Sequence, residues 1–256
     1  MPIYRKDHEI EGLRAAGSLA RDILLATAAF IKPGLTTKEV DAHSSTLMRD
    51  AGCTSAFLGY RGFPGNICIS LNEEVVHGIG GKRTIQMGDV VKIDIGIHYK
   101  GWVGDNALSV PVGMISPEVE KLLLVTEDSL HEAIKFATDG VPLGDLCSSV
   151  ERFVKKFGFT VVRQYVGHGV GRKLHEEPSV PNYGKPGTRP ILKEGMVLAI
   201  EPMVNLGVED TICLKDGWTV ITRDRKHSSH FEHMVLVTKK GPEVLTPRPR
   251  SMRREV

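Results

Sequence analysis

The chain has 256 residues, 41% of them hydrophobic and 25% charged, with a formal net charge of +2. This is the composition of a soluble globular protein with room for one large domain or two halves around a shared core, and it excludes a disordered or fibrous chain. So small a net charge leaves no electrostatic footprint for nucleic acid.

Cys53, Cys68, Cys147 and Cys213 form no C-x-x-C pair, which argues against a zinc knuckle or a redox motif and suits a reducing compartment. The N-terminus carries charges of both signs from Arg5 to Glu9, where a secretory signal would be apolar. The apolar run around Ile23-Leu24-Leu25 is far short of the ~20 residues of a membrane helix. A cytoplasmic protein is expected.

In chain order, Ile10, Leu13, Gly17, Ala20, Leu24 and Phe30 fall near helical spacing and predict a helix over 7–30, broken at Pro33-Gly34. Thr36 and Glu39 form a capping box for a second helix that ends near Gly52. A Gly- and aromatic-rich stretch from Gly59 to Gly65 precedes a short strand over 67–71. The clearest strand covers 90–98, with Val91, Ile93, Ile95 and Ile97 on one face and Lys92, Asp94, Gly96 and His98 on the other. A turn at Lys100-Gly101 returns the chain through Asp105. The parity of an even-length hairpin loop sets Asp94 and Asp105 on one face, opposite or one diagonal apart.

Ser116-Pro117 opens a third helix, expected to run to Gly140, and a fourth follows Pro142 and ends near Gly158. Helix, break, helix, glycine and strands therefore occur twice. This weak repeat predicts two αβ halves, near 1–115 and 116–256, with a site between them. Further strands are expected over 160–166, 196–200 and 231–237, and the Arg-rich end from Pro247 to Val256 reads as a solvated tail.

Between the second-half strands, Gly167-His168-Gly169-Val170-Gly171 and His175-Glu176-Glu177 gather two histidines, three glycines and two carboxylates in a short span. Taken alone, the span could be an ordinary glycine-rich loop or a ligand site, because imidazole serves as metal ligand and proton carrier. Glu201 ends an apolar run, where a carboxylate is costly unless paired or bound to a cation. Asp94, Asp105, His168, Glu201 and Glu232 together offer four hard oxygen ligands and one imidazole. That set suits a pair of first-row divalent ions better than a structural zinc. Each acid taken singly reads rather as a solvated or ion-paired residue. The H-E-x-x-H, P-loop, dinucleotide and G-x-S-x-G motifs are not matched.

Along nearly its whole length the sequence resembles the type I methionine aminopeptidases. The resemblance rests on Gly59-Tyr60, Gly62-Phe63-Pro64, Cys68 to Glu73, Val76-His77-Gly78, Ile93-Asp94-Ile95 and Gly104-Asp105. It continues through the His168 and His175 stretches, Ile200-Glu201-Pro202-Met203, Asp216-Gly217-Trp218 and Phe231-Glu232-His233. It implies an α+β pita-bread fold, also found in creatinase, with one catalytic domain over 1–256 built around a central antiparallel sheet.

It also implies two divalent ions, cobalt, manganese, iron, zinc or nickel, with the attacking water between them. Asp94 is the implied ligand of the first ion, His168 and Glu201 of the second, and Asp105 and Glu232 bridge both. His175 is implied at the tetrahedral oxyanion, His77 near the scissile amide, and Glu201 as a proton relay as well. Tyr60, Phe63, Cys68 and Trp218 match positions that line a methionine pocket. The implied reaction removes the initiator Met when the second residue is small, and Pro2 makes this chain a candidate for it. Expected partners are nascent polypeptide N-termini and a transient ribosome contact, with no specific nucleic acid, no membrane and a monomeric state.

Glu201 and Glu232 are 31 residues apart, too close for the helical insertion of type II members, and no extension precedes Asp7, so the short bacterial-type form is expected. Phe57 and Leu174 stand where the family often has a small residue and Phe, Val103 and Asn106 where His and Thr are usual, and His230 in place of a common Gln. His230 is expected to hydrogen-bond a ligand or the attacking water. Two rivals remain. One is an X-Pro peptidase of the same fold, which usually carries a large N-terminal domain. The other is a metal-free protein that docks on ribosomes through its Arg-rich tail.

Overall fold

A computed structural model describes residues 1–250. Helix α1 spans Asp7–Phe30. The Glu9 carboxylate accepts the backbone N–H groups of Arg5 and Lys6 and so covers free amides at its start. Helix α2 spans Thr37–Asp50. Its capping box is complete: Thr36 Oγ1 accepts the Glu39 N–H, and Glu39 accepts the Thr36 N–H at 2.7 Å.

Strands β1 (Thr54–Ser55), β2 (Cys68–Leu71) and β3 (Glu74–Val76) lead into β4 (Val90–Tyr99) and β5 (Trp102–Pro111). Lys100 and Gly101 both have positive φ, 48° and 80°, as a two-residue type I′ hairpin turn requires. The register pairs Asp94 with Ala107 and Gly96 with Asp105, so Asp94 and Asp105 share a face one diagonal apart, as their parity requires. Gly104 lets α1 lie directly on β5, since a Cβ there would stand 2.1 Å from the Ala16 carbonyl oxygen.

Helix α3 (Pro117–Ile134) is capped by the Ser116 hydroxyl, which accepts the Val119 N–H. It stops six residues short of the expected Gly140. Its last turn tightens into Phe136→Ala133 and Ala137→Ile134 bonds, and Asp139 then donates to Thr238, a tertiary bond that outcompetes another helical turn. Helix α4 spans Leu143–Lys155.

The second set of strands is β6 (Thr160–Val161), β7 (Gly167–Gly169), β8 (Glu176–Val180), β9 (Val197–Ile200), β10 (Met203–Asn205), β11 (Thr211–Cys213), β12 (Val220–Thr222), β13 (Ser228–His230), β14 (His233–Leu236) and β15 (Glu243–Val244). The strand expected over 160–166 is only β6, because residues 164–166 turn out to line a cavity. The strand expected over 231–237 loses its first two residues, because the Glu232 N–H leaves the ladder to bond Ala107 of β5.

The strands form four sheets: β1-β4-β2 with β5 on the free edge of β4, β13-β10-β6, β11-β12-β3, and β15-β14-β9-β7-β8. Their ladders run antiparallel. The main core packs Ile93, Ile95 and Ile97 of β4 with Leu24 of α1, Leu122 of α3, Val150 of α4 and Ile200 of β9, all fully buried. Among the described residues no helix is long and apolar enough to cross a membrane.

The C-terminal arm corrects one expectation. Arg248 is not solvated: its guanidinium donates to the carbonyls of Glu232 and Ala107. Arg250 pairs with Asp128. Arg253 and Arg254 lie outside the described residues.

Candidate metal centre

The β4–β5 hairpin supplies Asp94 and Asp105, β7 supplies His168, the end of β9 supplies Glu201, and the link between β13 and β14 supplies Glu232. All five line one cavity of about 330 Å³. Ligand atoms of Asp105, His168 and Glu232 lie within 4.8 Å of one another. His168 Nε2 is 3.6 Å from Asp105 Oδ2 and 3.5 Å from Glu201 Oε1. Two ligand atoms each about 2.1 Å from one ion stand about 3–3.5 Å apart, so these spacings match a shared cation better than direct hydrogen bonds. His168 Nδ1 faces the Gly169 carbonyl at 2.9 Å. If Nδ1 donates there, Nε2 keeps a free lone pair toward the carboxylates.

The electrostatics agree. Burial, with further repulsion from Glu201, pushes Asp94 up to about 7 against the pull of His230. Burial pushes Glu201 up to about 8. Asp105 and Glu232 are raised well above the ordinary carboxylate range by burial and then by their acidic neighbours. Burial, then His175, lowers His168 to about 3, so its imidazole stays neutral and ligand-ready. Asp94 Oδ1 is buried with no hydrogen-bond partner. Four acids drawn together with so few donors fit a divalent cation, and the oxygen-rich set favours a hard or borderline metal.

The other candidate residues line the same cavity: His77, His175, Tyr60, Phe63, Cys68 and Trp218. His77 has φ 59°, an uncommon conformation for a side-chain-bearing residue and one that recurs at functional sites. Its ring meets Tyr165 edge-on at 5.3 Å. Burial, with His230 and His175 nearby, lowers it to about 4. His175 Nδ1 lies 2.8 Å from the Tyr60 hydroxyl, and its ring sits 4.2 Å from that of His168. Burial, then Arg61, lowers its pKa. Cys68 pairs directly with Asp94 across β2 and β4, and Phe63 packs edge-on against Trp218 at 5.1 Å.

The unusual positions resolve individually. Phe57 and Leu174 both line the cavity. The Phe57 ring occupies the space over Gly96, where a Cβ would come within 2.4 Å of it. His230 Nε2 points at Glu201 Oε2 from 3.4 Å but makes no hydrogen bond there. Val103 donates to the Gly171 carbonyl. Asn106 is fully buried, and neither end of its amide has a partner.

Three features escaped the sequence reading. Arg61, with φ 50°, stands at the cavity beside Tyr60. Gln164 and Tyr165 line it as well. Lys92 is buried, its ammonium held by the carbonyls of Asn72 and Ser228 at 2.9 and 3.1 Å. Its place on the Asp94 face of β4 was a signal, since that face turns inward; the other two left none.

The model of metallopeptidase family M24 matches residues 11–239. Methionine aminopeptidase 1 of Bacillus subtilis is 45% identical over 246 residues, covering 96% of this chain and 99% of its own. The crystal structure of methionine aminopeptidase from Thermotoga maritima superposes with a TM-score of 0.94 at 40% identity, covering 97% of this chain and all of that one. An X-Pro aminopeptidase structure from the same organism gives 0.77 at 25% identity, and only 64% of it is covered.

Proposed function

The chain belongs to metallopeptidase family M24, among its methionine aminopeptidases, and from that premise we propose that it removes the initiator Met from nascent chains whose second residue is small. It is a hydrolase with the pita-bread fold. The observation that carries the reading is the set of Asp94, Asp105, His168, Glu201 and Glu232 at one end of a cavity whose other walls are aromatic and sulfur-bearing.

On this reading the five residues hold two divalent ions. When bound, such ions acidify a water and polarise the scissile carbonyl. The protein's own groups do the rest. If the Tyr60 hydroxyl donates to His175 Nδ1, Nε2–H is left to donate to the oxyanion as it forms, and desolvation, with Arg61 nearby, favours the neutral ring. His77, also neutral, faces the leaving group. Glu201, ionised when it faces the ions, takes the proton that the attacking water gives up and returns it to the departing amine. Tyr60, Phe63, Cys68 and Trp218 bury the methionine side chain, worth about 2–3 kcal/mol. We read residues 1–256 as one catalytic domain with halves near 1–115 and 116–256, acting as a cytoplasmic monomer.

The test is elemental analysis of protein purified without added metal, with hydrolysis of Met-Ala-Ser and Ala-Pro-Ala measured in parallel. Cleavage of the first alone, lost in Asp105→Asn together with bound metal, is expected. Preference for Ala-Pro-Ala would make it an X-Pro peptidase. Undiminished activity in Asp105→Asn would refute the dinuclear scheme.

A further inference from the structure

The segment that presents Glu232 is the least regular part of the site. β13 ends at His230 and β14 begins at His233, so residues 231 and 232 sit outside both ladders. The Glu232 N–H is held by the Ala107 carbonyl at 2.9 Å. Its own carbonyl is held by Arg248 Nη1 at 3.0 Å, while Arg248 Nη2 donates to the same Ala107 carbonyl at 2.8 Å. One planar guanidinium therefore closes a ring of hydrogen bonds between β5 and the 231–232 link. Ala107 lies two residues from Asp105 and directly opposite Asp94.

Arg248 is itself built into place. Leu245 donates to the Met234 carbonyl, and the Thr246 hydroxyl oxygen accepts the Met234 N–H. Arg21 donates to the Pro247 carbonyl, and Arg250 pairs with Asp128. Nη1 also approaches His233 Nδ1 at 3.2 Å. The guanidinium is not among the groups that line the cavity.

We propose that Arg248 is a positioning residue for the metal centre: its two-pronged grip on the Ala107 and Glu232 carbonyls sets the spacing between the strand that carries Asp105 and the link that carries Glu232. The need follows from the charges. Asp94, Asp105, Glu201 and Glu232 repel one another, and Glu232 has no ladder to hold it against that push. A guanidinium suits the task because its fork addresses two fixed acceptors at once, whereas a lysine ammonium has neither the fork nor its planarity. Outer residues that orient metal ligands commonly change metal affinity about 10–100-fold when removed.

The proposal rests on the reading of these acids as metal ligands, and its test separates the two. Metal-free wild type, Arg248→Met, Arg248→Lys and Asp105→Asn are titrated with Mn(II) by calorimetry. The Co(II) forms are compared by visible absorption, and kcat and KM are measured on Met-Ala-Ser. Arg248→Met is expected to bind Mn(II) at least about tenfold more weakly, with a changed Co(II) band and a fall in kcat larger than any rise in KM. Arg248→Lys should fall between it and wild type. Should the Met variant not fold, the Lys variant decides alone.

Wild-type metal affinity and an unaltered Co(II) spectrum in whichever variant folds would overturn the proposal, provided Asp105→Asn has lost metal. If Asp105→Asn binds like wild type, the ligand assignment fails first and takes the proposal with it.

Discussion

Replacing Asp94 by Asn should act in opposite directions with and without metal. In the metal-free protein Asp94 is partly buried, with Oδ1 shut off from solvent and unpartnered, and its pKa stands near 7 instead of 3.8. A folded-state pKa raised above the unfolded one means that stability is fully present below about pH 3.8 and is lost as pH rises through 7. For one such carboxyl the loss above pH 7 is on the order of 4 kcal/mol. Asparagine keeps the shape and removes the charge, so metal-free Asp94→Asn should be more stable than metal-free wild type at pH 8, by about 1–4 kcal/mol, and equal to it near pH 4. With saturating Mn(II) the order should reverse, because the variant has lost a ligand and with it part of the stabilisation by binding. Urea denaturation in chelator and in Mn(II), from pH 4 to 8.5, reads both signs. The reasoning fails if, in chelator, the variant keeps the wild-type dependence on pH or is less stable than wild type at pH 8.

Gly96→Ala should drive a methyl into the Phe57 ring and cost about 1–3 kcal/mol in stability, with kcat/KM for Met substrates falling too. Phe57→Ala should relieve much of that cost, which a double-mutant cycle by thermal denaturation would measure. His175→Ala should lower kcat by about 100-fold or more, as loss of an oxyanion donor does, while metal affinity by calorimetry stays within a few fold. Tyr4→Phe removes a hydroxyl that bonds Glu176 at 2.9 Å and receives the Arg172 N–H. It should cost about 1–3 kcal/mol in chemical denaturation, with little change in bound metal.

The legible part of the fold was carried by local rules. The Thr36–Glu39 box, the Ser116 cap and the Lys100-Gly101 turn each declare themselves within four residues, and the turn then fixes which carboxylates share a face. Where a long-range bond competes with a local preference, the sequence is silent. Asp139 abandons α3 for Thr238, and Glu232 abandons its strand for Ala107, choices made by partners about 100 residues away or more. The convergence of the acids in one cavity was readable from residue type and from the family resemblance. The grip of Arg248 was not, because a long cationic side chain ordinarily reaches water, and only backbone carbonyls presented in a dry interior reverse that preference. Asn106, buried with both amide atoms unpartnered, has no explanation in the structure.

The order of the residues along the chain, with Glu232 and Arg248 after the other residues of the cavity, has a consequence for biosynthesis. Asp94, Asp105 and His168 leave the ribosome long before the acid and the guanidinium that complete and brace their surroundings. A partly made chain therefore holds some of the cavity's acids but not the wall that gathers them. The cavity wall is closed only after Glu232 and Arg248 have been added, and its acids are brought together in a single late step of folding.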